Sequence, residues 1–338
     1  VNIFVNEEYS PNFESTKPGN ITSYKEINVF GYSRSDTINM GSINSNIYVE
    51  GGLGGDTITT GSGNDIIYTN AAIKDEYDSE DNSVENTINA GNGNNTIYGS
   101  KGKDIVTTGK DDDKIYAGGG SDTIKSGRGN DIIYTGGKSE NSGDFDKESD
   151  ENIVVAGRGS DTIYGSKARD IIYGDDQENK GNGWSISIDR DTIYGYGGDD
   201  EIYGGNDSDH IDGGIGKDEL YGGDDDDFLY DGNDNDEDKL YGGEGYDTYG
   251  VNSTDIIKDD DGKGKIYFHR THHLSGGVET EAGSKIYKGD NFTYNLNDKT
   301  LTVTDDNPSS KGSITIKDYD KYRNNGGDLE IKLTDKID

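Results

Sequence analysis

Sixteen aspartates recur in this chain at one place in a nine-residue phrase, G-G-x-G-x-D-x-U-x, where U is aliphatic. They are Asp36, Asp56, Asp65, Asp104, Asp113, Asp122, Asp131, Asp161, Asp170, Asp191, Asp200, Asp209, Asp218, Asp227, Asp238 and Asp247. Four further phrases carry Ser45, Asn86, Asn95 and Asn152 in the same slot. A carboxylate that returns every nine residues beside glycine-rich turns, whose carbonyls are exposed, supplies an all-oxygen ligand set. Such hard ligands suit Ca²⁺. Asn86, Asn95 and Asn152 offer an oxygen without charge, so weaker sites are expected there. Ser45 is expected to weaken the first coils in the same way.

The elements that must position these groups follow from the rest of the phrase. Glycine permits positive φ and tight turns. The x-U-x triplet is rich in β-branched and aromatic residues and reads as a very short strand. The U slot runs from Ile38 and Ile47 through Ile58, Ile115 and Leu220 to Tyr249. Alternation puts U on one face and its neighbours on the other. Turn, strand, turn and strand make a coil of eighteen residues. The expected fold is all-β: a parallel β-roll whose coils stack with U as a thin core between two sheets. Ten coils at about 4.8 Å give a rod roughly 50 Å long.

Composition sets the boundary conditions. Of 338 residues only 28% are hydrophobic, 52 are glycine, and the formal charge is -36. Such a balance is the usual mark of disorder, and twenty phrases in phase argue against that default. Self-repulsion at this charge opposes compaction, which calls for an external cation. On the order of a dozen Ca²⁺ ions would cancel much of it. Nucleic acid and anionic membrane surfaces are poor partners for the bulk of the chain. There is no cysteine, which leaves metal as the staple. No apolar run is long enough to span a bilayer. The opening "VNIFVNEEYS" lacks the basic start and long apolar core of a signal peptide, and is read as the start of a processed or longer chain.

Through the repeats of 31–250 the chain resembles the RTX family of bacterial secreted proteins, whose nonapeptide repeat binds Ca²⁺. "DIIKDDDGKGKIYF" (255–268), "NFTYNLNDKTLTVTD" (291–305), "SITIKDYD" (313–320) and "GDLEIKL" (327–333) are similar to the segment that follows the repeats in several RTX toxins and enzymes. The resemblance implies export by the type I secretion machinery and an extracellular or cell-surface location. It also implies repeats that stay unfolded in the low-Ca²⁺ cytosol and form a β-roll in millimolar Ca²⁺. Family members carry their secretion signal at the extreme C-terminus, and this sequence stops soon after "GDLEIKL".

Three parts are expected: N-terminal capping strands at 1–30, the roll at 31–250, and a C-terminal β cap at 251–338. Capping is needed because an open coil exposes its core. Three breaks of twelve residues interrupt the phrases, at Asp65–Asn86, Asp131–Asn152 and Asp170–Asp191. Counting turns puts the first two acidic loops on one edge and the third, with Trp184, on the other. Two-residue slips fall before Asp56 and Asp238. Tyrosine often follows U, and Tyr98, Tyr116 and Tyr134, eighteen apart, are expected to form an outward ladder. Such a ladder stiffens a sheet by ring stacking or offers a surface to sugars or to another copy of the chain.

No catalytic constellation emerges, so the chain is not read as an enzyme; a catalytic domain, if any, lies outside it. "HRTHH" (His269, Arg270, His272, His273) lacks the H-E-x-x-H spacing of zinc proteases and reads as an exposed loop. His210 is expected on the outer face in solvent. No G-x-S-x-G elbow occurs. Basic and bulky residues at the third turn position, such as Lys101, Lys110 and Arg128, break the flat row that ice binding requires. The leading reading is a Ca²⁺-binding module that folds outside the cell. The rivals are a self-assembling surface-layer, adhesin or biofilm-matrix protein, and the non-catalytic part of an RTX toxin, lipase or protease.

Overall fold

The computed structural model describes residues 2–4, 13–14, 27–32, 34–70, 84–136, 150–175, 189–232, 234–252, 254–269, 271–307, 312–320 and 328–336. It falls into two compact units, Val1–Asp189 and Arg190–Asp338. Among the described residues the regular structure is β-strand, with one short 3₁₀ turn at Asp328–Glu330. No helix there is long and apolar enough to cross a membrane.

In the first unit the chain alternates between two parallel sheets. One stacks Asn2–Phe4, Ile27–Phe30, Ile47–Glu50, Ile66–Tyr68, Thr96–Tyr98, Lys114–Tyr116, Ile132–Tyr134 and Thr162–Tyr164. The other stacks Phe13–Glu14, Thr37–Asn39, Thr57–Thr59, Asn86–Gly91, Asp104–Thr108, Thr123–Arg128, Glu151–Arg158 and Arg169–Asp175. Register is set by the aliphatic slot. Ile97, Ile115, Ile133 and Ile163 face one another rung by rung, as do Ile88, Val106, Ile124, Val154 and Ile172. All are buried, so the two sheets share one thin apolar layer. This is the expected parallel β-roll.

The strands of the two sheets differ in length. From Ile66 on, those of the first sheet are the expected triplets, whereas those of the second sheet from Asn86 on run to five to eight residues. There the residue two places after U is Ala90, Thr108, Ser126 or Ala156, all buried. The Thr60, Thr108 and Ser126 hydroxyls donate to the carbonyls of Ala90, Ser126 and Ala156 one coil on, at 2.7, 2.6 and 2.9 Å. These side-chain rungs carry the pairing past the triplet.

One expected slot is displaced. Val49 pairs with Val29 and Ile67 and so occupies the U position, while Ile47 pairs with Ile27. Both are buried. The aspartate slot of this coil is therefore held by Ile47, whose N–H donates to Asp65 Oδ1 at 2.8 Å. Ser45 lies outside it. The two extra residues precede Ile47 rather than Asp56, because this register buries two aliphatic side chains on the inner face.

In the second unit the first sheet stacks Thr192–Tyr194, His210–Asp212, Phe228–Tyr230, Asp247–Val251 and Gly264–Phe268. The second stacks Glu201–Gly205, Glu219–Asp224, Lys239–Glu244 and Ile256–Lys258. Parallel stacking thus continues past Tyr249. Ser313–Lys317 adds in parallel to Ile256–Lys258, and Thr300–Asp305 and Phe292–Asn297 then follow antiparallel. Here Phe268, Leu274, Tyr287, Tyr294, Leu301, Val303, Ile314 and Ile316 are buried. A fuller core than one aliphatic residue per nine ends the roll.

Tyr68, Tyr98, Tyr116, Tyr134 and Tyr164 form a column with centroids 4.5 to 5.0 Å apart and planes within 8° of parallel. The rings cover one another so well that Tyr116 and Tyr134 keep only 7% exposure. The column is ring stacking within the sheet. Tyr203, Tyr221 and Tyr241 repeat it in the second unit. The bodies of the three insertions, 71–83, 137–149 and 176–188 with Trp184, lie outside the described residues.

The thin core makes each U position sensitive. Ile115→Ala is expected to cost about 2–4 kcal/mol, from lost burial and a cavity. Ile66→Ala, at a 42% exposed position, should stay within about 0.5 kcal/mol. Urea unfolding at saturating calcium measures both, and equal losses would contradict the one-residue core.

Candidate metal sites

Asp218 shows how a slot aspartate is held. Its turn is Gly213-Gly214-Ile215-Gly216-Lys217-Asp218. Gly214 and Gly216 have φ of 109° and 135°, where a side chain is strained. Gly213 is glycine for another reason: a methyl group there would lie 2.5 Å from Asp218 Oδ2. The turn curls around its own carboxylate and buries it to 1% exposure. The Asp200 N–H donates to Asp218 Oδ1 at 2.9 Å, and the Asp218 N–H donates to Asp238 Oδ1 at 2.7 Å. Asp218 Oδ2 has no hydrogen-bond partner.

Every other slot residue sits in the same kind of ladder. On one edge of the first unit it links Asp36, Asp56, Asn86, Asp104, Asp122, Asn152 and Asp170, at 2.6 to 2.9 Å per rung. On the other edge it links Asp65, Asn95, Asp113, Asp131 and Asp161, at 2.7 to 3.0 Å. In the second unit Asp191, Asp209, Asp227 and Asp247 form one line, and Asp200, Asp218 and Asp238 the other. Asn86 and Asn152 differ from the aspartates. Their Nδ2 groups donate to Asp104 Oδ1 at 2.6 Å and Asp170 Oδ1 at 2.8 Å, so at these rungs a neutral amide already offsets the carboxylate.

At Asp104 and Asp170 the Ser100 and Ser166 N–H groups donate to Oδ2 as well, but at several other slots the protein satisfies one carboxylate oxygen and leaves the other. Oδ2 of Asp36, Asp56, Asp218, Asp227 and Asp247 is buried without a hydrogen bond. Beside it stands a carbonyl of the following coil. Asp36 Oδ2 with Gly51 O, Asp200 Oδ2 with Gly213 O, Asp209 Oδ2 with Gly222 O, and Asp227 Oδ2 with Gly242 O lie within 2.8 Å of a Cβ placed at Gly31, Gly195, Gly204 and Gly222 respectively. Carboxylate and carbonyl oxygens converge where only a hydrogen side chain fits. A hard cation matches this donor set. Thr60, Thr108 and Ser126 stand at the corresponding place on the other edge of the first unit and fill it with a hydroxyl.

Burial makes these carboxylates reluctant to ionise. It pushes Asp56, Asp104, Asp113, Asp218 and Asp247 up to about 7, and Asp227 and Asp238 up to about 8. Repulsion from Asp247 adds at Asp227, and from Asp218 and Asp255 at Asp238. Burial raises Asp65 to about 6, with the Ile47 N–H favouring its charged form.

The buried acids that escape the sequence pattern include Asp255, Asp259 and Asp231. Asp255 continues the ladder by accepting from the Asp238 N–H at 3.3 Å. The signal was present as Asp255-Ile256-Ile257, a D-x-U seventeen residues after Asp238, with only Gly250 left of the three preceding glycines. Asp259 accepts from the Tyr249 hydroxyl at 2.7 Å and the Gly262 N–H at 2.5 Å. Asp231 stands where the phrase has glycine, and no pattern marks it. His272–His273 form an exposed two-residue strand antiparallel to Tyr267–Phe268. His210 lies among Tyr194, Phe228 and Tyr230, 5.4 to 6.2 Å from their ring centroids, instead of in open solvent.

The raised carboxyl groups fix the pH response of the metal-free chain. The folded state holds protons that the unfolded chain releases above about pH 4. Stability therefore falls as pH rises from about 4 to about 8, by about 1.4 kcal/mol per pH unit for each group titrating in that window. In EDTA the β signal in circular dichroism should be larger at pH 5 than at pH 7.5; the reverse order would refute the burial argument.

The profile of the RTX calcium-binding nonapeptide repeat, in four copies, matches residues 48–72, 82–115, 108–137, 148–180, 187–220 and 212–249, more than half of the chain. Comparison with curated proteins gives no match. The in-phase repeat, the parallel roll and the convergent oxygen ligands are all accounted for by this match, and the chain belongs to the RTX calcium-binding nonapeptide repeat family.

Proposed function

We propose that this chain is a calcium-triggered folding module of a bacterial protein exported by type I secretion, and that it orders outside the cell. RTX repeats bind Ca²⁺; the observation that supports a switch is the line of buried carboxylates, with Oδ2 of Asp36, Asp56, Asp218, Asp227 and Asp247 unsatisfied. Without a cation the ionised ladder repels itself and the thin core does not offset chain entropy. With Ca²⁺ bound, binding free energy becomes folding free energy, because the ligands converge only in the roll. Extracellular calcium modules bind at roughly 0.1–1 mM, which separates cytosol from exterior. The role of this chain is to bind and to fold, and any catalysis belongs to segments joined to it.

Circular dichroism with sedimentation velocity tests this, titrating Ca²⁺ against Mg²⁺ after EDTA at pH 7.5. The expected result is an expanded chain in EDTA that gains β signal cooperatively with Ca²⁺ and not with Mg²⁺. A chain fully folded in EDTA overturns the switch. Gly213→Ala, which places a methyl group against Asp218 Oδ2, should raise the calcium midpoint and remove one ion from the calorimetric count. An unchanged count would show that the cradle under Asp218 is not a ligand site.

A further inference from the structure

In the second unit the place two residues after U is glycine at Gly195, Gly204, Gly213, Gly222 and Gly242, and aspartate at Asp231. A Cβ at this place would collide with the next slot carboxylate, as Gly213 would with Asp218 Oδ2. After Asp231 the phrase is longer: Asp238 follows Asp227 by eleven residues rather than nine. The added length makes room for another carboxylate.

Oxygens of Asp231, Asp238 and Asp255 lie within 4.8 Å of one another. The three residues are 2%, 1% and 1% exposed. Backbone amides donate to all three, and Asp231 and Asp255 also share a side-chain hydrogen bond. The Asn252 N–H donates to Asp231 Oδ2 at 2.6 Å and to Asp255 Oδ2 at 3.1 Å. The Asp238 N–H donates to Asp255 Oδ1 at 3.3 Å, and the Asp218 N–H to Asp238 Oδ1 at 2.7 Å. Asp231 Oδ1 is buried and has no partner. No ion pair among the described residues reaches the trio; the adjacent Lys239 pairs with Glu219 instead. Three buried carboxylates this close require a counter-charge to ionise together, and the orphaned Asp231 Oδ1 is a ligand atom without a ligand.

We propose that Asp231, Asp238 and Asp255 hold one Ca²⁺ ion in a three-carboxylate site, separate in kind from the glycine-lined turns, that fills at lower calcium than they do. The inference rests on the calcium reading above. Its physical basis is that affinity at oxygen sites rises with the number of charged ligands and with their rigidity. Here one more carboxylate is held in place by a backbone amide.

The test is calorimetric titration of the EDTA-stripped full chain with CaCl₂, for the native sequence, Asp231→Asn and Asp231→Gly. Asp231→Asn keeps the volume and removes the charge. Asp231→Gly restores the residue found at the other turns, and circular dichroism at saturating calcium checks that both variants form the roll. The native chain should take up one ion ahead of the rest. Both variants should lose that step or weaken it about tenfold or more, with the later uptake unchanged. A native chain with no leading step, or a leading step that survives Asp231→Asn, overturns this site while leaving the repeat sites standing. A native chain that takes up no calcium overturns the calcium reading itself and this site with it.

Discussion

A buried carboxylate that the protein satisfies on one oxygen only, as at Asp36, Asp56, Asp218, Asp227 and Asp247, is the constraint around which this chain is organised. The amide of the preceding coil bonds Oδ1, and nothing of the protein bonds Oδ2 at Asp36, Asp56, Asp218, Asp227 or Asp247. Ionising a group in such a place is costly, and a single ion bridging neighbouring coils removes that cost for more than one group at once. The composition follows from this. The first glycine of the phrase leaves room beside the carboxylate, the second and third let the turn close, and the acidic excess is left for an outside cation to neutralise.

The aliphatic layer is the weaker partner. One branched side chain per nine residues fixes register and direction but covers little area. The molecule supplements it in three ways along the chain. Tyrosine columns stack on one sheet of each unit. Hydroxyl rungs at Thr60, Thr108 and Ser126 extend the second sheet of the first unit. Around Phe268, Tyr287, Tyr294 and Ile316 an antiparallel meander builds an ordinary core. The ion pairs, such as Arg169–Glu151 and Lys239–Glu219, lie on partly exposed side chains, where such pairs contribute little.

Much of this is legible in the sequence, because the period carries it. The nine-residue phrase dictates the strand, the alternation, the eighteen-residue coil and the convergence of the slot residues. Legibility fails where the period breaks. Ser45 is where the nine-residue period continued from Asp36 falls, while the chain takes the register that buries both Ile47 and Val49. Asp231 is invisible because it replaces a glycine, and Asp255 because two of its three glycines are gone. Alternation placed Tyr116 and Tyr134 outward, which is right for the backbone, but ring-on-ring contact with their own kind then hides them.

A chain written in one repeated phrase faces a problem of indexing. Shifting the stack by a whole coil would again set aspartate against aspartate and isoleucine against isoleucine, so the competing arrangements are nearly equal in energy. The irregular positions break that translational degeneracy. Asn86 and Asn152 donate a side-chain N–H that no aspartate offers, to Asp104 and Asp170 in turn. Both asparagines follow a twelve-residue insertion, and Asp231 heads the lengthened phrase. What look like flaws in the repeat serve as alignment keys, telling each coil which neighbour is its own.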